Sequence, residues 1–205
     1  MPSPAIPTPV RLAGEHLVRH GLRGVWRRGV PPEGPFVWAA NHHSWWDPFV
    51  AAVVLGRLGR APCVLMDQDN LRRFRVARLL SAFGTRELRR GLDHLGAGRV
   101  LVIFPEGGLR PAGPLGPLSG GAAWYARTAG VPVCAAATRV VLRGHQAPEA
   151  YVSLSTVDSS ALGQGLGTEL DRLDRLVAGT DPRSPLPTFL PVLAGRRSWE
   201  ERWAR

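Results

Sequence analysis

The sequence predicts an α/β fold: a mostly parallel central sheet flanked by helices, with an N-terminal amphipathic helix ahead of it. Short apolar runs of strand length alternate with segments of helical periodicity along most of the chain, and Gly- and Pro-rich turns separate them. Two chemically dense stretches, "NHHSWWD" and "FPEGGLR", each follow directly on an apolar run. In open α/β sheets ligands bind beyond the carboxyl ends of the strands, so these two stretches are expected to share one cleft.

Taken in order, residues 1–28 read as a proline-studded head and an amphipathic helix that extends to Trp26. Val10, Ala13, Leu17, Val18, Leu22 and Val25 form its apolar stripe, with Arg, Glu and His between them. Such a helix either packs on the domain or lies on anionic lipid. Residues 29–205 are expected to form a single α/β domain. "PFVWAA" reads as a buried strand. Asp47 followed by Pro48 reads as a helix start, with Asp as N-cap and Pro at the first helical position, and "PFVAAVVLG" as a short buried helix closed by Gly56. "APCVLM" is a second strand. Residues 69–84 follow as a helix with Leu71, Phe74, Leu79, Leu80 and Phe83 on its apolar side and Arg72, Arg73, Arg75 and Arg78 beside them, and residues 86–98 as another. "RVLVIF" is a strong buried strand, 120–130 a helix, 131–140 and 150–157 strands, and 167–179 a helix with paired charges. The tail 197–205 reads as a short amphipathic helix or a frayed end.

The chain has 205 residues and is 44% hydrophobic, enough for one sizeable core. Its 26 basic residues, all arginine, stand against 16 acids for a formal charge of +10. Arginine forks take phosphates in bidentate fashion, which admits anionic membranes and phosphorylated small molecules as partners. The arginines are dispersed and no nucleic-acid reading motif is present, so nucleic acid is not expected. Cys63 and Cys134 stand alone, which indicates neither a zinc module nor a disulfide framework. No apolar run approaches the roughly 20 residues of a membrane helix, and the start does not read as a signal peptide, so a soluble or peripheral protein is expected.

In "NHHSWWD", His42 and Asp47 are five positions apart, which on a continuous helix means about 500° of rotation and side chains roughly 140° out of phase. A loop that leads into a helix removes that obstacle: a tight turn can return the carboxylate to the imidazole. It would then fix the ring's tautomer and leave the other nitrogen to take a proton from a hydroxyl or thiol. Adjacent His43 offers a rival metal reading, but neighbouring side chains diverge and no second ligand cluster exists, so no metal is expected. Trp45 and Trp46 read as packing or interfacial residues. In "FPEGGLR", Gly107 and Gly108 let backbone amides face an anion and Arg110 can meet a phosphate. Glu106 there either bonds a hydroxylated ligand or merely braces the loop.

These stretches, in this order, resemble the glycerolipid acyltransferase family, whose type members acylate lysophosphatidic acid and glycerol 3-phosphate. The family's N-H-x-S-x-x-D is matched by Asn41, His42, Ser44 and Asp47, and its F-P-E-G by Phe104, Pro105, Glu106 and Gly107. "LSGGAAWYARTAGVPV" resembles the family's glycine-rich helix start and V-P strand, and the likeness runs roughly from Gly29 to Val140. The resemblance implies an O-acyltransferase with His42 as general base and Asp47 as its orienting partner. Glu106, Gly107, Gly108, Arg110 and Ser44 would hold substrate, with Gly84 and Arg86 standing in for a family segment whose lysine is missing from "MDQDNLRRF". No cofactor is implied. Acyl-CoA or acyl carrier protein (acyl-ACP) would be the co-substrate, a lysophospholipid or related lipid the acceptor, and the cytoplasmic side of an anionic membrane the place of a peripheral enzyme of phospholipid biosynthesis. The family's phosphate-binding arginine falls at Leu109 here, with Arg110 one place late. That leaves room for a non-phosphorylated acceptor such as a glycolipid or carotenoid. A non-catalytic lipid-binding protein and a thioesterase are further readings.

Overall fold

Val37 and Ala39 pack on one side of the central sheet and Trp38 and Ala40 on the other, and all four are buried. Strands covered on both faces are apolar throughout and do not alternate, which is why they are prominent in the sequence. The structure, a computed structural model, describes residues 8–74, 77–78 and 81–203. Its elements are α1 (Thr8–Gly21), β1 (Gly24–Arg28), β2 (Val37–Ala40), α2 (Asp47–Arg57), β3 (Pro62–Met66), α3 (Gln68–Arg73), β4 (Ala82–Gly84), α4 (Leu88–Gly96), β5 (Val100–Ile103), α5 (Gly121–Ala129), β6 (Val133–Val141), β7 (Glu149–Val157), α6 (Leu162–Gly179), β8 (Leu190–Ala194) and α7 (Trp199–Trp203). The strands form one sheet in the order β4-β3-β5-β2-β6-β7-β1-β8. All neighbours run parallel except β6 with β7 and β1 with β8.

One layer of the core joins Trp38, Val64, Val102 and Ala136 of the sheet to Val50, Val53 and Val54 of α2 and to Val18 of α1. The other joins Val37, Leu101 and Ala135 to Leu95 of α4, Tyr125 of α5 and Leu166 and Leu170 of α6. A smaller cluster of Tyr151, Leu173, Leu186 and Phe189 closes the far end. Among the described residues no helix is long and apolar enough to cross a membrane.

Several expectations are corrected. The N-terminal helix ends at Gly21, and residues 24–28, read from periodicity as its last turn, form β1 between β7 and β8. The pairing of Val25 and Trp26 with Ala150 and Tyr151, and the stacking of Trp26 on the Tyr151 ring at 5.2 Å, outweigh the helical stripe. Residues 24–28 are thus inside the sheet and not part of the head. The stripe itself divides: Val18 and Leu22 are buried, while Leu12, Ala13 and Leu17 face outward. The long helix over 69–84 is only α3, and Ala82–Gly84 at its end is β4, with Phe83 buried beside β3. Arg75, Leu79 and Leu80 from that reading, residues 1–7 of the head and residues 204–205 of the tail lie outside the described residues. β8 was not anticipated. It contains Pro191, and as an edge strand paired only with β1 it has room for a residue without an N–H.

Candidate active site

β2 ends at Ala40 and β5 beside it ends at Ile103, so the two dense stretches emerge next to each other at the carboxyl edge of the sheet. The loop after β2 is tied to β6 on its other side. The Asn41 amide accepts from Thr138 N at 2.7 Å and donates to Thr138 O at 3.0 Å, mimicking one more rung of the ladder. Asp47 is not the N-cap, as its place before Pro48 suggested. That position belongs to Trp46, which makes no side-chain cap bond, and Asp47 is the first helical residue. Its carboxylate turns back into the loop instead. Oδ2 accepts from His43 N at 2.9 Å, from Ser44 N at 2.8 Å and from His42 Nδ1 at 2.9 Å. The Asp47 side chain is fully buried, whereas that of His42 keeps 18% of its exposure. His42 Nδ1 therefore donates to Asp47, and Nε2 has no hydrogen-bond partner among the described residues. The ring lies on Phe104 with centroids 4.3 Å apart, so its tilt is fixed by an aromatic from the second stretch.

His43 is a different group. Val140 N donates to its Nε2 at 3.0 Å, which puts the ring proton of the neutral form on Nδ1, toward Asp47. Burial holds its pKa below the usual value, with Asp47 pulling the other way and Arg139 adding to the depression. It is a neutral brace between the loop and β6, with no ring nitrogen to spare for a proton-transfer partner or a metal.

The second stretch clasps the first. Glu106, buried, accepts His42 N on Oε1 at 2.9 Å and Gly116 N on Oε2 at 3.1 Å, and Arg110 N donates to His42 O at 2.8 Å. Both Glu106 oxygens are thus engaged by backbone, as a brace for the loop would be, and each oxygen keeps a second lone pair for a further donor. Gly116 sits so close that a Cβ there would approach Glu106 Oε2 to 2.9 Å. Gly107 adopts a φ of +75°, and its N–H is taken by Phe104 O at 3.0 Å. The N–H of Gly108 is unpaired among the described residues, as a donor for a developing anion must be. The Arg110 side chain is exposed and among the described residues donates only to Glu106 O, at 3.3 Å. The Ser44 hydroxyl accepts from Trp46 N at 3.2 Å and shapes the turn.

Gly84 and Arg86 are not brought to this cluster. They lie at the carboxyl end of β4, with β3 and β5 between them and β2. Arg86 is exposed, and Gly84 is buried with its N–H on Glu87. Asn41 entered the sequence reading only as a motif letter, Thr138 and Val140 only as part of a strand, and Gly116 not at all; backbone partners leave no side-chain signature. Arg139 was missed too. It pairs with Asp174 at 2.6 Å and holds Gly113 O at 2.7 Å, anchoring the loop that carries Gly116.

A histidine oriented by a buried carboxylate at the carboxyl edge of a largely parallel sheet, with a glycine bend beside it, defines a class of α/β protein whose edge can take a proton from a hydroxyl or thiol. The particular family follows from the sequence: residues 25–139 match the profile of the acyltransferase family, more than half of the chain, and the chain belongs to that family. It is accordingly an acyltransferase. Among solved structures it is similar to the crystal structure of the 1-acyl-sn-glycerophosphate (LPA) acyltransferase PlsC from Thermotoga maritima. The TM-score is 0.64 at 17% sequence identity, over 82% of this chain and 79% of that one, a likeness of fold. No curated protein sequence matches the chain.

Proposed function

We propose that the protein transfers a fatty acyl group from a thioester, on coenzyme A or acyl carrier protein, to a hydroxyl of a lysophospholipid or related glycerol lipid. The observation that carries this reading is the His42–Asp47 contact of 2.9 Å with Nε2 left unpaired. In the reaction Nε2 takes the proton of the acceptor hydroxyl, the freed oxygen attacks the thioester carbonyl, and Asp47 stabilises the imidazolium. The tetrahedral oxyanion is met by the Gly108 N–H, and on collapse the proton goes to the leaving thiolate, so the histidine returns to its starting state. Burial pushes the Cys63 and Cys134 thiols up to about 12 each, which leaves neither poised as a nucleophile. The acceptor supplies the attacking atom.

That the protein of similar fold is a 1-acyl-sn-glycerophosphate (LPA) acyltransferase supports a lysophosphatidic acid-like acceptor. A second reading is favoured by Leu109, which is 58% exposed at the place where the family resemblance expects a phosphate-binding arginine. It is transfer to a lipid alcohol without phosphate. The test is mass spectrometry of products after incubation of the protein with acyl-CoA or acyl-ACP and a lipid extract, alongside His42→Ala. Wild type forms an ester product that the variant does not. A fully active His42→Ala protein rejects the reading. In this reading the enzyme works at the cytoplasmic face of a membrane, where its lipid acceptor lies.

A further inference from the structure

We propose that the sheet edge made by the end of α1, the Arg196–Arg197 segment and α7 docks on the surface of an anionic phospholipid membrane, with the Trp199–Trp203 pair entering the headgroup layer. The inference rests on the lipid-acceptor reading and assigns the surface that delivers the site to its substrate.

An open groove at this edge is lined by Arg19, His20, Ala194, Gly195, Arg196 and Arg197, with no carboxylate among the described residues that line it. Arg196 and Arg197 are exposed, and their guanidinium groups have no acceptor among the described residues. Arg19 makes one bond, to Ala194 O at 3.2 Å. The segment is held flush by backbone: Gly195 N donates to Arg23 O and Arg196 N to Leu22 O, both at 2.8 Å, and a Cβ on Gly195 would collide with Leu22 O. Only glycine lets the chain run this close over the end of α1.

α7 then presents its apolar face outward. Glu201 pairs with Arg23 at 2.6 Å and accepts from Ser198 N at 2.9 Å, while Trp199 N donates to Gln146 at 3.1 Å. With Glu201 fixed inward, the tryptophans four positions apart share the opposite side, their centroids 5.4 Å apart, 57% and 73% exposed. Amphipathic rings beside unpaired arginines match the boundary between headgroups and acyl chains, and the arginines match its negative charge. An acidic protein or a nucleic acid accounts for the charge but not for two exposed indoles on an anchored turn of helix.

The topology connects this surface to the chemistry. β6 is parallel to β2, β7 antiparallel to β6, β1 parallel to β7 and β8 antiparallel to β1, so the carboxyl end of β8 is at the same edge as His42. The four strand spacings between β2 and β8 amount to about 19 Å.

The test is co-sedimentation with vesicles of phosphatidylglycerol mixed with phosphatidylcholine and with vesicles of phosphatidylcholine alone, without substrates. Wild type binds the anionic vesicles preferentially and releases in high salt. Arg196→Ala/Arg197→Ala weakens binding about 25-fold, from ~1 kcal/mol for each arginine at an anionic surface. Trp199→Ser/Trp203→Ser also weakens it and removes most of the quenching of tryptophan fluorescence by brominated lipid. Melting temperatures identify any variant that fails to fold, and the quenching of wild type by brominated lipid is read independently of the variants. Equal binding to both vesicle types, absence of quenching, or folded double variants that bind as wild type would overturn the proposal, as would loss in them of binding to an acidic carrier protein alone. Acyl transfer that persists while vesicle binding ignores these residues sinks the docking surface only. Vesicle binding that depends on them in a protein without acyl transfer sinks the functional reading only.

Discussion

Asp47 and Glu106 do related work by the same means: each carboxylate gathers donors from a loop and so fixes the position of His42, the first through its ring and the second through its backbone N–H. The two have separable predictions. With His42 as the proposed base, His42→Ala is expected to lower the turnover number roughly a hundred- to ten-thousand-fold, in a protein whose melting curve remains cooperative. Glu106→Gln replaces one of two acceptors with a donor, leaving a buried N–H facing an N–H. Urea unfolding is expected to show a loss of about 1–3 kcal/mol, accompanied by reduced turnover as His42 shifts. His43 gives a pH signature. Its pKa in the fold lies below the ordinary 6.5, so beneath pH 6.5 the unfolded chain binds more protons and acid erodes stability. His43→Gln should flatten that slope in melting temperature against pH. It should not abolish it, since burial depresses His94 in the same direction.

At the scale of elements, legibility followed burial. The runs that became β2, β5 and β6 are apolar because both faces are covered, and each was located within a residue or two. Segments whose identity depends on a distant partner were misread: Gly24–Arg28 is polar enough to suit a helix until β7 and β8 take its edges, and Leu190–Ala194 is a strand only because β1 lies beside it. The helical layer has its own test in Gly91 of α4. A Cβ there would come within 2.5 Å of the Tyr125 ring, and Tyr125 is buried with its hydroxyl on Leu88 O at 3.1 Å, so it has nowhere to move. Gly91→Ala is expected to destabilise by about 1–3 kcal/mol in chemical denaturation, despite the ~1 kcal/mol gain in helix propensity.

Over the whole molecule, the two motif stretches were legible while the architecture that joins them stayed hidden. His42, Asp47 and Glu106 were legible as residue types at known spacing, but the clasp that joins them runs through Thr138, Val140 and Gly116, whose contribution is backbone alone. A second hidden feature is the buried ion cluster at the other half of the sheet. Glu149 accepts from Arg23 at 2.9 Å, Arg143 at 3.3 Å and Tyr151 at 2.7 Å, and Arg23 reaches on to Glu201. Glu149→Gln leaves the buried Arg143 without a carboxylate partner among the described residues and Arg23 with Glu201 alone, and should cost about 3–5 kcal/mol in denaturant titrations. The placement of β1 has a consequence for biosynthesis. Its neighbours in space are the strands that begin at Glu149 and Leu190, so β1 emerges from the ribosome with its edges bare and must wait for chain made long after it. Assembly therefore closes by a late zippering of β7 and β8 onto β1, and until then its unpaired edges leave a window in which chaperones compete with mispairing.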